Sequence, residues 1–345
     1  MPVSIDAVRD AATLIADEVV RTPIVRSGPL SAACGADVYL KLETLQRTGS
    51  FKDRGALVKL KSLSAAEGER GVIAVSAGNH AQGVASHAQR LGIPATIVMP
   101  VGTPFTKVRR TEAYGAEVIL QGDTLNAAEP FAHERAAEQG LTFVHPYDDE
   151  RIIAGQGTVG LEMLADVPDL DVIVVPIGGG GIISGIATAA KAIKPDIEVI
   201  GVETEVYPSM YNALRGLEAP VGGVTMADGI AVKSPGVITK EIVGRLVDDI
   251  VLVTEAAIEA AVQSLLVDAN VLVEGAGATP LAAIVADRGR FEGRRVGLVA
   301  CGGNIDPRIV ASVLLRGMSR AGHLARLRVS ISDQTGTLAK VARII

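Results

Sequence analysis

The sequence has no tryptophan, and aromatic residues of all kinds make up 3% of it. With so few large rings, a core built from this chain rests on Val, Ile, Leu and Ala. Cysteine is nearly as scarce. Cys34 and Cys301 are the two, and their wide separation excludes a disulfide scaffold and a cysteine-based zinc cluster. Positive charge is not in excess either: 33 Lys and Arg stand against 39 Asp and Glu, a net charge of −6. That balance excludes the basic footprint of a protein whose main partner is nucleic acid. No signal peptide is visible, since Asp6, Arg9 and Asp10 precede any apolar run.

Long uncharged runs are also few. Val172 to Ala190 has the length of a membrane span, but it contains Pro176 and the run Gly178-Gly179-Gly180-Gly181. Those residues would break a lipid-exposed helix in its middle. The segment reads instead as a buried strand, a glycine turn and a helix. A cytoplasmic, soluble chain is expected.

What is present is a regular alternation. Short β-branched runs occur at Val38 to Leu42, Val72 to Val75, Thr96 to Met99, Glu117 to Leu120 and Thr142 to Val144. Further runs are Val172 to Val175, Glu198 to Val202, Ile250 to Val253 and Arg295 to Val299. Amphipathic stretches separate them, among them Asn79 to Leu91, Leu125 to Gln139 and Glu255 to Val267. Strand–helix–strand alternation predicts an α/β fold with mostly parallel sheets. Ligands of such sheets bind beyond the carboxyl ends of the strands, so the segments after the strands are where chemistry is sought.

Four of those segments stand out. They are Thr48-Gly49-Ser50-Phe51-Lys52-Asp53-Arg54, Ser76-Ala77-Gly78-Asn79-His80, the four-glycine run, and Cys301-Gly302-Gly303-Asn304. A strand, a glycine turn and a helix start make an anion cradle, because the backbone N–H groups can approach the anion and the helix dipole favours its charge. The same segment approximates a dinucleotide fingerprint, with Gly179, Gly181 and Ser184 at the spacing and Glu203 about 20 residues on. The lysine segment separates the two readings. Lys52 opens a helical stretch beside apolar Phe51, where a cation is disfavoured and the neutral amine gains weight. Such an amine suits Schiff-base chemistry, and with a phosphate cradle it meets the minimum needs of pyridoxal phosphate.

The remaining residues have plain structural readings beside the functional ones. Asn79 is placed to cap a helix, and Cys301 to be a small buried residue at a strand end. His80 reads as structural. The five histidines show no metal-ligand spacing, and a G-x-S-x-G nucleophile elbow is absent.

Taken in order, the four motifs resemble the fold-type II pyridoxal-phosphate enzymes, and most closely their threonine dehydratase (threonine ammonia-lyase) and serine dehydratase branch, which includes serine racemase. The resemblance spans residues 1 to about 325. It implies two open, twisted, mostly parallel sheets flanked by helices, with a smaller subdomain at roughly 45–150. It implies that Lys52 carries the cofactor and takes the substrate α-proton, with Phe51 beside it. Asn79 would bond the cofactor's ring hydroxyl, Gly178 to Gly181 its phosphate, and Cys301 its ring nitrogen. The backbone of Ser76, Ala77, Gly78, Asn79 and His80 would hold the substrate carboxylate. The implied reaction is β-elimination of threonine, and of serine, to an oxoacid and ammonia.

Ala77 stands where the racemases of this branch carry a serine hydroxyl, so racemisation ranks below elimination; 3-hydroxyaspartate elimination is a further alternative. Glu203 corresponds to the first carboxylate of the branch's cation site, although the second position falls near Ser209, which is no carboxylate. Residues 326–345 resemble the opening of an ACT regulatory domain, with a strand over Arg328 to Ser332, a turn at Asp333 to Leu338 and a helix from Ala339. That implies an amino-acid effector, and the family expectation is a homodimer or homotetramer. The rival classes are a nicotinamide-dependent oxidoreductase, resting on Gly179, Gly181 and Glu203, and a non-catalytic amino-acid sensor, resting on the tail.

Overall fold

A computed structural model describes residues 2–325, 328–331 and 334–344. The chain divides into two units, Met1–Ile305 and Asp306–Ile345. The first holds two sheets. Its strands are β1 (Ile24–Arg26), β2 (Asp37–Leu42), β3 (Val72–Val75), β4 (Ala95–Met99), β5 (Glu117–Leu120), β6 (Thr142–Phe143), β7 (Val172–Pro176), β8 (Glu198–Thr204), β9 (Asp249–Val253) and β10 (Arg295–Ala300). Six strands form one sheet in the order β1-β2-β10-β7-β8-β9, and four form the other in the order β5-β4-β3-β6. All pairings are parallel except β1 with β2.

Parallel strands joined by helical crossovers are covered on both faces, so they read as continuous apolar runs rather than alternating ones. Strand β7, Val-Ile-Val-Val-Pro, is buried along its whole length. So is β3, Val-Ile-Ala-Val. Apolar residues cover the smaller sheet on two sides. Ala81, Val84, Ala85 and Ala88 belong to one cluster, and Ala128 and Ala132 to another. These residues come from the helices Asn79–Leu91 and Leu125–Gln139. Small side chains there let the helices lie close to the strands, as a core poor in aromatics requires.

Glycine allows the closest helix contacts. A Cβ on Gly155 would fall 2.6 Å from the Cα of Gly55, and one on Gly185 would fall 2.3 Å from the Ile153 carbonyl oxygen. The helices Lys52–Lys61, Glu150–Asp166 and Gly181–Ile193 therefore meet backbone to backbone. The helix that begins at Lys52 and the helix that begins at Gly181 thus both pack on the helix Glu150–Asp166.

The strand readings hold to within two residues at each end. The three-residue antiparallel β1 has no counterpart among the sequence expectations, because Ile24 and Val25 alone are too short an apolar run to mark a strand. One expectation of the tail is corrected. Residues 328–331 form no strand, because a lone segment finds no neighbouring ladder for its N–H and C=O groups. Ser332 and Asp333 of that expectation lie outside the described residues. The following helix runs over Thr337–Ile344, two residues earlier than expected. Within the same unit, the helix Pro307–Arg320 is capped by the Asp306 side chain.

Candidate active site

Strands β2, β10 and β7 are neighbours in the larger sheet. Their carboxyl ends deliver the Lys52 segment, the Cys301 turn and the glycine run to one place. The first two are joined by backbone hydrogen bonds. The N–H of Phe51 donates to the Cys301 carbonyl at 3.0 Å, and the N–H of Gly303 to the Gly49 carbonyl at 2.9 Å. Ser50 forms a β-bridge with Gly302. Gly49 has φ +77°, a left-handed turn that an L side chain rarely adopts. From the smaller sheet, β3 delivers Ser76 to His80.

All of these motifs line one pocket of about 320 Å³: Phe51, Lys52, Ser76 to His80, Gly178 to Gly181 and Cys301. Asn304 and Glu274 line it as well. Lys52 is the first residue of its helix, and its Nζ donates to the Pro146 carbonyl at 2.5 Å. Its pKa is lowered to about 8, chiefly because the surroundings strip water from the ammonium, with Cys301 and Glu274 opposing. Desolvation, rather than the helix terminus, is thus the leading cause of the free-amine character expected here.

The glycine run is an empty-handed donor surface. The N–H groups of Gly178 to Gly181 donate to no acceptor among the described residues. A helix of 13 residues starts at Gly181. Gly180 has φ +96°, and a Cβ there would fall 2.8 Å from the Thr239 Cβ; a Cβ on Gly179 would fall 2.3 Å from the Tyr147 ring. The turn therefore accepts no side chain, and its donors suit a phosphate group. With Lys52 in the same pocket, the residues fit pyridoxal phosphate.

Asn79 is not the helix cap it could have been. Gly78 holds that position, and no side chain caps the turn. Asn79 instead enters a hydrogen-bonded chain. Its Nδ2 donates to Glu274 Oε1 at 2.7 Å, and its Oδ1 accepts from Asn304 Nδ2 at 2.7 Å. Asn304 Nδ2 also donates to the Thr48 carbonyl at 2.8 Å. The His80 side chain is structural, as expected. Its pKa is lowered to about 3, mainly by desolvation, so the neutral ring donates from Nε2 to the Val144 carbonyl at 2.9 Å. Cys301 is buried, and desolvation pushes its thiol well above the ordinary range, which keeps it neutral.

Glu203 lies elsewhere. It is fully buried at the end of β8. Its Oε1 accepts from the Met210 N–H at 2.9 Å and its Oε2 from the Tyr211 N–H at 2.8 Å. The carboxylate thus serves the start of the helix Ser209–Arg215. Buried, spent on backbone donors and absent from the pocket lining, it does not offer the free acid that the dinucleotide reading needs. Among the described residues no group of three or more His, Cys, Asp or Glu is arranged to hold a metal ion.

Sequence reasoning missed Glu274, Tyr147 and the Pro146 carbonyl. Glu274 precedes the helix Gly275–Ala286, and an acidic residue before a glycine–alanine run was its one visible signal. Its pKa is raised to about 7, first by desolvation and then by Asp228.

The fold and this site define a class. The model of the pyridoxal-phosphate dependent enzyme family matches residues 15–302, and the chain belongs to that family, with the fold-type II architecture. Among its relatives, an L-threonine ammonia-lyase of Thermotoga maritima is 44% identical over 99% of this chain and 86% of its own length. A catabolic L-threonine dehydratase of Staphylococcus aureus is 46% identical over 92% of this chain and 94% of its own. Of the solved structures, maize serine racemase superposes with a TM-score of 0.86 at 34% identity, covering 94% of this chain and all of that one. No helix among the described residues is long and apolar enough to cross a membrane.

The position of the Lys52 pKa has a measurable consequence. The neutral amine is the form that reacts with an aldehyde. In the cofactor-stripped chain, the rate of pyridoxal phosphate uptake, followed by absorbance, is expected to rise with pH and level off above about 8. A rate still climbing as for an ordinary lysine, with its value near 10.5, would contradict the desolvated environment.

Proposed function

We propose that this chain is a pyridoxal-phosphate-dependent L-threonine ammonia-lyase that also accepts L-serine. The observation that carries the reading is the convergence of Lys52 and the unpaired glycine donors on one pocket, in a chain about 45% identical to proteins named for threonine deamination.

Bound pyridoxal phosphate supplies an electron-withdrawing ring that acidifies the Cα–H bond of an attached amino acid. The protein's own groups do the rest. The N–H groups of Gly178 to Gly181 hold the phosphate. The N–H groups at the start of helix Asn79–Leu91 favour the substrate carboxylate, because the positive end of a helix attracts an anion. Lys52 Nζ, with its lowered pKa, takes the proton from Cα and can pass it on at neutral pH. The Cα–H electron pair would become the Cα–Cβ double bond as the β-hydroxyl leaves with the C–O pair and the proton handed on by Lys52, as water; hydrolysis of the released enamine would yield 2-oxobutanoate and ammonia. Asn79 meets the ring hydroxyl in this reading. Cys301, kept a neutral thiol by its burial, would face the ring nitrogen and would not hold a positive charge on it. That suits a reaction that discards its charge on a leaving group rather than storing it.

The racemase similarity favours a second reading, but Ala77 in the pocket carries no exchangeable side-chain proton. Racemisation needs a second acid–base group on the opposite face of the substrate. On the same resemblance, residues 45–150 act as a smaller subdomain within a catalytic domain of residues 1–325. The enzyme would work in the cytoplasm as a homodimer or homotetramer, and an amino-acid effector would act through residues 326–345.

The test is direct. Purified holoenzyme with L-threonine should release ammonia and 2-oxobutanoate in equal amounts, and with L-serine it should form pyruvate with little D-serine by chiral chromatography. No ammonia from either substrate would overturn the assignment, and D-serine as the main product would favour the racemase.

A further inference from the structure

Glu274 is a buried acid in the active-site pocket with no part in the reaction as derived above. Its side-chain partner is the neutral amide of Asn79, with the Asn304 backbone also bonded to the carboxyl, and the arrangement around that amide has only one consistent orientation. An asparagine side chain has a donor end and an acceptor end, and a 180° flip exchanges them. The Thr48 carbonyl can only accept, so Asn304 turns Nδ2 toward it, at 2.8 Å. The same Nδ2 donates to Asn79 Oδ1 at 2.7 Å, which leaves Asn79 Nδ2 on the far side. There Glu274 Oε1 accepts at 2.7 Å. Flipping Asn79 would set its Nδ2 against the Nδ2 of Asn304 and its Oδ1 against the carboxylate oxygen. Both contacts would be repulsive.

Glycines make room for this chain of bonds. A Cβ on Gly302 would lie 2.6 Å from Glu274 Oε1 and 3.0 Å from Asn79 Nδ2, and one on Gly229 would lie 3.2 Å from Glu274 Oε1. The first glycine after Cys301 is thus explained by space for a carboxylate that the sequence places 28 positions earlier. Asn79 is half-buried and lines the pocket. One of its two Nδ2 hydrogens is engaged by Glu274, and the other has no acceptor among the described residues.

We infer that Glu274 is a positioning residue for the cofactor: acting through Asn79, and together with Asn304, it fixes the amide so that a free Nδ2–H is available to the group bound in the pocket. The inference rests on the proposed contact between Asn79 and the ring hydroxyl of pyridoxal phosphate.

A double-mutant cycle tests it without reference to turnover. The dissociation constant for pyridoxal phosphate is measured by equilibrium dialysis on cofactor-stripped full-length wild type, Glu274→Ala, Asn79→Ala and the double variant. Glu274→Ala is expected to weaken binding about tenfold in the wild-type background and no more than about twofold in the Asn79→Ala background, since groups that act through one another are non-additive. Glu274→Gln keeps an acceptor oxygen and should stay within about threefold of wild type. An equal loss in both backgrounds overturns the inference, as does no loss in the wild-type background or a loss in Glu274→Gln as large as in Glu274→Ala. If Glu274→Ala does not fold, Asn304→Ala runs the same cycle with the same expectation, and additivity with Asn79→Ala overturns the inference. A wild-type chain that takes up no pyridoxal phosphate would instead sink the functional reading itself.

Discussion

Lys52→Ala is expected to lower threonine turnover by about 10⁴-fold or more, because in the proposed mechanism it removes the group that both attaches the cofactor and moves the α-proton. The fold should be little affected. The Lys52 side chain is half-buried and donates one hydrogen bond, to the Pro146 carbonyl. Its methylenes line the pocket instead of filling a core. A melting temperature close to wild type, alongside lost ammonia release, would separate chemistry from folding. Lys52→Arg sharpens the test. It keeps positive charge and length, but a guanidinium does not deprotonate in proteins, so it should be as inactive as the alanine variant. Turnover within tenfold of wild type in either variant would remove Lys52 from the reaction.

Lys52 was also the residue most open to inference from sequence, for a reason that shows where such inference works. The signals that mark it are local in sequence: the small-residue turn before it and the helix after it. The same holds for β7 and its glycine turn, and for the helix Asn79–Leu91, whose apolar spacing and bounding glycines are local signals. The mechanism behind the shifted pKa was less accessible. Helix termini can be read from sequence, whereas desolvation depends on walls contributed by Pro146, Cys301 and Glu274. Asn79 shows the limit most clearly. At the start of a helix its local chemistry favours a cap. The structure commits its side chain to Glu274 and Asn304, 195 and 225 positions away, and no periodicity carries that information. The tail failed in the opposite direction. Arg328 to Ile331 have strand-forming composition, but a strand is a property of a pair.

The largest effect on stability is expected two residues from Lys52. Arg54 is fully buried. Its guanidinium reaches Glu43 Oε2 and Oε1, each at 2.8 Å, and Glu162 Oε1 and Oε2 at 2.7 and 2.8 Å. Lys41, also buried, donates to Glu162 Oε2 at 2.5 Å and to the Thr22 carbonyl at 2.6 Å. Two cations and two carboxylates thus balance inside the protein. Such a cluster is weak evidence for net stabilisation while intact, since desolvation offsets attraction, but removing one member strands its partners. Arg54→Ala should therefore cost about 3–5 kcal/mol, a large share of the roughly 5–15 kcal/mol that holds a typical domain folded. The pH dependence gives the cause away. In the wild type, burial pushes the Glu43 carboxyl up, but Arg54, with Thr22 and Lys41 beside it, outweighs burial and the net pKa is lowered. That carboxylate therefore contributes stability above its unfolded pKa and loses it as pH falls through the folded one. Without Arg54 the burial is left largely uncompensated and the shift is expected to reverse: a raised folded pKa penalises the ionised form at high pH, and protonation relieves the penalty. The gap between wild type and variant in urea denaturation should narrow from pH 8 to pH 5. A gap independent of pH would mean that the loss comes from the missing side-chain volume rather than from stranded charge.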